Sequence, residues 1–116
     1  MSRFQKKFHL SVSVVLLCSL VLISGCDWSA RWDLMRAEKA LKTADKANAE
    51  HWATREYQKA QKFFVEAMDE ARVRNVNNAR DLALEARMWA EEATFLAIQR
   101  AEEMQKEKDA ISSKKY

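Results

Sequence analysis

The sequence predicts an all-α protein, and three observations point to this class. The chain contains no proline and a single glycine, Gly25, so the residues after it include none that readily breaks a helix. Beyond residue 26 the apolar residues recur at steps of three and four, the period of a helix and not of a strand. Most of these residues are alanine. We therefore expect a signal-peptide helix followed by three antiparallel helices in an alanine-rich bundle, joined by short turns that contain asparagine.

The first 25 residues have the layout of a signal peptide. Residues 1–9 include three basic residues and no acidic one, and residues 10–23 are apolar apart from three serines. A membrane-spanning helix needs about 20 apolar residues to cross the hydrocarbon core, and this run is shorter. It ends at Ser24 and Gly25, small residues of the kind that a signal peptidase accepts. The sequence therefore favours cleavage before Cys26 over an uncleaved membrane helix.

The cleavage junction resembles the lipobox of bacterial lipoproteins. Ile23, Ser24, Gly25 and Cys26 match its pattern of an aliphatic residue, two small residues and a cysteine. The resemblance implies that Cys26 becomes the first mature residue, with a diacylglycerol on its thiol and an acyl chain on its amino group. Two or three acyl chains hold a protein durably on a membrane, since each buried methylene contributes about 0.8 kcal/mol. We expect no other cofactor.

Asp27 follows the cysteine. An aspartate at this second mature position resembles the signal that retains lipoproteins of enteric-type bacteria in the inner membrane. The resemblance implies a lipid-anchored protein on the periplasmic side of the bacterial cell membrane, with the inner membrane favoured and the outer membrane as the alternative. We expect four parts: a signal peptide (1–25), a lipid-anchored segment (26–36), an alanine-rich helical domain (37–108) and a polar, frayed tail (109–116).

Processing would leave a chain without net charge and without a free thiol. The sequence has 20 lysines and arginines against 17 acidic residues, and removal of the three basic residues in the leader balances the two. A neutral chain argues against nucleic-acid binding, which needs clustered positive charge. Cys18 lies in the leader and Cys26 would carry lipid, so no disulfide is expected.

The first mature helix is predicted from about Trp28 to about Ala49. Trp28, Trp32 and Met35 lie on one of its faces, close to Cys26. Tryptophan favours a membrane interface, but the same residues could equally cap the end of the bundle core. Both interpretations stay open. The residues expected to face the core recur at steps of four and three: Ala30, Leu34, Ala37, Leu41 and Ala44.

Two stretches interrupt the helical pattern. In residues 48–54, Asn48 can adopt the left-handed conformation that ends a helix, and we interpret His51 as a turn residue. In residues 75–78, three asparagines can supply left-handed geometry and a helix cap. These turns delimit a second helix, from about Thr54 to Arg74, and a third helix, from about Ala79 to about Lys108.

Alanines dominate the predicted core of the third helix. They recur at Ala79, Ala83, Ala86, Ala90, Ala93 and Ala97. Small side chains allow helix axes to approach to about 8 Å, but each buries little area at roughly 25 cal/mol per Å². A single bundle of this size is therefore marginal in stability. We expect self-association through these alanines, or an envelope protein as partner.

Residues 37–101 resemble the alanine-rich lipoprotein domain of unknown function (DUF) family 4398. Trp52, Ala53, Glu56 and Tyr57 match the start of its middle helix, and residues 79–83, Ala-Arg-Asp-Leu-Ala, match the start of its last helix. Thr54 stands where the family usually has proline. The resemblance implies an envelope lipoprotein with a helical domain and no known chemistry.

The mature sequence has no pattern typical of a catalytic site. It lacks a glycine-rich loop, a Glu-x-x-His pair and a serine near a partner histidine. We therefore expect no enzymatic role, no metal and no small-molecule substrate, but a structural or protein-interaction module of the cell envelope. Two alternatives stay open: an accessory subunit of an envelope or transport complex, and a spacer associated non-covalently with peptidoglycan.

Overall fold

The computed structural model describes residues 5–7 and 25–115, and over these residues the protein is all-α, as predicted. The expected signal-peptide helix falls outside the described residues except at 5–7 and Gly25, which are helical. The molecule is elongated, with principal-axis extents of 100, 29 and 13 Å. Its helices are α1 (Gly25–Lys46), α2 (Ala49–Trp52), α3 (Thr54–Arg72) and α4 (Val76–Lys114).

The long helix α4 is the element on which the others pack. It contacts both α1 and α3 extensively, whereas α1 and α3 contact each other less. Asp33 of α1 lies beside Arg80 near the start of α4, and Ala44 of α1 packs in one cluster with Ala93 farther along. The two helices therefore run in the same direction.

Helix α3 runs in the opposite direction to α4. Tyr57, near its start, packs in the cluster that contains Ala97. Ala67, near its end, packs in the cluster that contains Ala83 and Ala86. Consecutive long helices thus reverse direction, and α3 lies against α4 over most of its length.

The core is built almost entirely from alanine. On α4 six alanines have no exposed surface, and the name alanine seam is used for them: Ala79, Ala83, Ala86, Ala90, Ala93 and Ala97. Tyr57, 6 % exposed, is the largest side chain in the buried core of the described residues. Larger apolar side chains pack around the seam while partly exposed, among them Leu34, Leu41, Phe63, Phe64, Leu82 and Leu96.

In the turn after α1, the left-handed conformation of Asn48 was predicted, but the end of α1 and the conformation of His51 differ from the prediction. Asn48 has the left-handed conformation, with φ 56° and ψ 39°, which ends the preceding helix. Helix α1 ends at Lys46 and not at Ala49. His51 lies in the four-residue helix α2, because the amides of His51 and Trp52 both donate to the carbonyl of Asn48, at 3.1 Å each.

The turn before α4 uses an arginine where an asparagine was expected. Arg74, with φ 59°, is the left-handed residue. Its amide donates to the carbonyl of Ala71 at 3.2 Å, and the amide of Asn75 donates to the carbonyl of Glu70 at 2.9 Å. These two bonds form a Schellman motif at the end of α3. The side chain of Asn75 bonds the carboxylate of Glu70 at 2.8 Å, and α4 then begins at Val76.

Helix α4 continues past its expected end near Lys108 and reaches Lys114. Residues 102–114 are exposed and form a helical projection, called the distal segment here. Part of the stretch expected to be a frayed tail is therefore helix, which is consistent with the high helix propensity of its lysines, glutamates and alanine. None of the described helices is both long enough and apolar enough to cross a membrane.

Candidate functional site

The predicted lipidation site lies at the start of α1. Gly25, Cys26 and Asp27 form the first residues of that helix, and the position of their side chains lies outside what the structure describes. Ile23 and Ser24 lie outside the described residues altogether. The lipobox and the sorting signal therefore stay predictions from the sequence. In the processed protein that the lipobox predicts, the acylated Cys26 is the first residue of α1.

One face of α1 points away from the bundle and holds both predicted interface residues. Trp28 is 61 % exposed, Trp32 47 % and Met35 53 %. The two indole rings contact each other edge to face, with centroids 6.2 Å apart. Neither tryptophan belongs to a cluster of buried core residues. The membrane-interface interpretation stays a prediction.

The same face of α1 continues as a row of lysines. Trp28, Trp32 and Met35 are followed at the same steps of four and three by Lys39, Lys42 and Lys46, all exposed. The name α1 outer face is used for these six residues. Glu38 pairs with Lys42 at 3.3 Å. Over the described residues, Lys39 and Lys46 form no ion pair, so the face has an excess of positive charge.

A second exposed apolar surface lies on α4. Its side chains are about half exposed or more, and the name α4 outer stripe is used for them: Leu84, Met88, Phe95 and Ile98. At 100° per residue this stripe lies on the side of α4 opposite the alanine seam. Glu91 interrupts the stripe and accepts a hydrogen bond from Nε of Arg87 at 2.9 Å. This stripe was not predicted from the sequence, although the spacing of its residues, 4, 7 and 3 apart, places them on one side of a helix.

The grooves between the helices are shallow, and both charged and apolar side chains line them. The groove between α1 and α4 has a volume of about 650 Å³ and is lined by Arg36, Lys39, Arg87 and Glu91, among others. Over residues 25–115, no group of three or more histidine, cysteine, aspartate or glutamate side chains is placed to hold a metal ion. The arrangement offers surfaces for contact with lipid or protein.

A buried tyrosine joins α1 to α3. The hydroxyl of Tyr57 donates a hydrogen bond to Oδ1 of Asp45. This hydrogen bond, together with burial and the negative charge of Asp45, raises the pKa of Tyr57 to about 12. Below that pH the hydroxyl keeps its proton and the bond holds. The pair therefore fixes the two helices at the end of the bundle that contains α2.

No protein-family model, no curated protein and no solved structure matches this chain. The resemblances to the lipobox and to the alanine-rich domain therefore depend on the residues quoted for each.

Proposed function

We propose that the protein is a bacterial lipoprotein, acylated at Cys26 and anchored at the periplasmic face of the cell membrane, where it acts as a structural or protein-interaction module of the envelope. The lipobox residues Ile23 to Cys26 support the anchor, and Asp27 supports the inner membrane. The outer membrane is the alternative location. The observation that carries the interaction role is the α4 outer stripe, since Phe95 is 63 % exposed with no helix of the described chain covering it.

We also propose that α1, α3 and α4 form a three-helix bundle of the kind found in the alanine-rich lipoprotein domain. The opposite directions of consecutive long helices support this arrangement. The short Asn48 turn and the Schellman motif at Arg74 are tight connections, as such a bundle requires. Helix α4, with 39 residues, extends beyond its neighbours at its C-terminal end.

The alanine seam is an unsuitable surface for self-association, contrary to our expectation from the sequence. Its six alanines have no exposed surface because α1 and α3 cover them. A second copy could reach the seam only by displacing one of those helices. We therefore propose that the partner binds the α4 outer stripe and is an envelope protein, with a second copy of the chain as the alternative. An accessory-subunit role in an envelope or transport complex uses the same surface.

The anchor can be tested by acylation of the native protein. We expect incorporation of labelled palmitate and a mature mass that begins at Cys26 with added acyl chains, and the variant Cys26→Ala should lose both. Cys18→Ala is the matched control, since Cys18 lies in the leader and its removal should leave acylation unchanged. A native protein that begins at Met1 and lacks acyl mass would contradict the proposal.

The partner surface can be tested by photo-crosslinking in cells. A photoreactive residue at Phe95 should yield a discrete adduct with an envelope protein, whereas the same residue at Lys62, exposed on α3, should not. The variant F95E, probed from Met88, should lose the adduct. Equal adducts from Phe95 and Lys62 would count against the stripe. Recovery of the protein on purified peptidoglycan, unaffected by F95E, would favour the spacer alternative.

A further inference from the structure

We propose that the α1 outer face lies on the anionic phospholipid surface of the leaflet that holds the anchor, so that α1 runs along the membrane and the bundle lies flat on it. This inference rests on the proposed lipid anchor at Cys26. It adds a second attachment, made by side chains, and it assigns an orientation to the whole molecule. The partner in this contact is the headgroup layer of acidic lipids.

The first support is the division of α1 into two faces. Ala30, Ala37 and Ala44 lie on the inner side and are buried against the other helices, at 6 % exposure or less. The α1 outer face follows the same 4-3 spacing on the other side of the helix, which places its six residues in one line. Helix α1 thus has one face for the bundle and one that the described chain leaves uncovered.

The second support is the chemistry of that line. Tryptophan places an apolar ring among acyl chains while its N–H stays hydrated. Trp28, Trp32 and Met35 supply the apolar part next to Cys26, where an acyl anchor would hold the helix at the surface. The lysine stems of Lys39 and Lys46 can lie along the surface while their amines reach phosphate groups. Such a face is typical of helices that lie in the membrane interface.

The third support is charge. The mature chain would be neutral as a whole, yet the α1 outer face includes three lysines and Arg31 and Arg36 flank it, all exposed, against Glu38. Asp33 pairs with Arg80 of α4 at 3.1 Å and also with Arg36 at 3.9 Å, so Arg36 is partly offset, whereas Lys39 and Lys46 form no ion pair over the described residues. A basic side chain close to an acidic leaflet strengthens attachment about fivefold. The attraction should weaken with salt, because surface charges are screened over about 10 Å at 0.1 M.

An upright orientation would leave this chemistry unused. If α1 stood along the membrane normal, Lys46 would lie roughly 30 Å from Cys26 at 1.5 Å per residue, beyond the reach of the headgroups. The apolar side chains of Trp32 and Met35, which the bundle leaves about half exposed, would then be in contact with water. The flat orientation covers the apolar residues and places the lysines beside opposite charge.

The test uses the mature acylated protein in vesicles and a spin label on an introduced cysteine. With Cys18 removed with the leader and Cys26 acylated, the variants Lys39→Cys and Glu92→Cys each carry one free thiol. Glu92 is exposed on α4 and lines neither of the grooves beside α1, so it is the control. In vesicles of phosphatidylglycerol and phosphatidylcholine, we expect the label at 39 to be less accessible to a water-soluble relaxing agent than the label at 92. In pure phosphatidylcholine this difference should shrink.

Two double variants that reverse lysine charges test whether the label is protected by contact with acidic lipids. With the label at Met35→Cys, the double variant K39E/K46E should expose it to water in acidic vesicles. The double variant K106E/K108E, which makes the same charge change on the distal segment, should leave it protected. Equal accessibility at 39 and 92 in acidic vesicles would overturn the inference. Protection at 39 in native membranes but not in protein-free vesicles would also overturn it, in favour of a protein partner.

Mass spectrometry of the purified protein distinguishes failure of the proposed lipid anchor from failure of the flat orientation. If the purified protein carries no acyl chains, the proposed anchor fails before any label is read. If the acylated protein binds vesicles but both labels face water, the anchor stands and only the flat orientation fails. Far-UV circular dichroism of each variant verifies that the helices are intact.

Discussion

At the scale of single residues, Tyr57 links the stability of the bundle to high pH. Its pKa in the folded protein is about 12, above the usual value of about 10. The unfolded chain therefore releases this proton first. The stabilisation from the hydroxyl is complete below about pH 10 and is lost as the pH rises toward 12.

We expect Tyr57→Phe to remove that pH dependence. At neutral pH the variant should be less stable by about 1.5–3 kcal/mol, the usual contribution of a hydrogen bond to a charged group. The difference between the two proteins should shrink as the pH rises from 10 to 12. Urea unfolding over this range measures it, and lysine titration affects both proteins alike. A difference that stays constant with pH would show that the bond to Asp45 is not responsible.

The left-handed backbone conformation of Arg74 predicts how substitutions there change the stability of the protein. A side chain with a β-carbon is disfavoured in the left-handed region, where Arg74 lies at φ 59°. Arg74→Gly should therefore raise the free energy of unfolding by about 0.5–1 kcal/mol. Arg72→Gly, in the last turn of α3, should lower it by about 1 kcal/mol. Thermal unfolding of the two variants checks the opposite signs, and equal effects would contradict the assignment.

At the scale of the helices, the alanine seam makes the packing intolerant of larger side chains. Ala90 has no exposed surface, so Ala90→Leu forces α4 away from its neighbours and should cost about 1–3 kcal/mol. Ala110→Leu, on the exposed distal segment, is the matched control and should change stability by less than about 0.5 kcal/mol. Chemical unfolding compares them. Equal stability of the two variants would mean that the helices are not closely packed at Ala90.

The helices were predictable from the sequence because alanine spacing and the lack of proline act locally. The left-handed Asn48 was also predictable, since asparagine tolerates that conformation. Arg74 was not, because the choice of left-handed residue there depends on the hydrogen bonds that end α3. Helix α2 is one turn long and too short to show a period. The exposure of Trp28 depends on where α4 begins relative to α1, and spacing within one helix does not reveal that.

At the scale of the whole molecule, the distal segment projects without support from the bundle. Removal of residues 105–116 should leave the free energy of unfolding unchanged within about 0.5 kcal/mol, because the described residues of this stretch are exposed. The helical signal in circular dichroism should fall in proportion to the helix removed. A large loss of stability would reveal packing of the segment, for example against a second copy.

A repeating seam leaves the alignment of the helices undetermined by alanine alone. A slip of α3 by seven residues along α4 would place methyl group against methyl group again, so these contacts accept more than one register. The register is fixed by contacts that occur once: Asp33 with Arg80, Tyr57 with Asp45, the Lys59 amine 4.0 Å from the centre of the Trp89 ring, and the Arg100 guanidinium with the carbonyl of Trp52. A few side chains at the rim of the core thus fix the register of helices whose alanine contacts would allow several alignments.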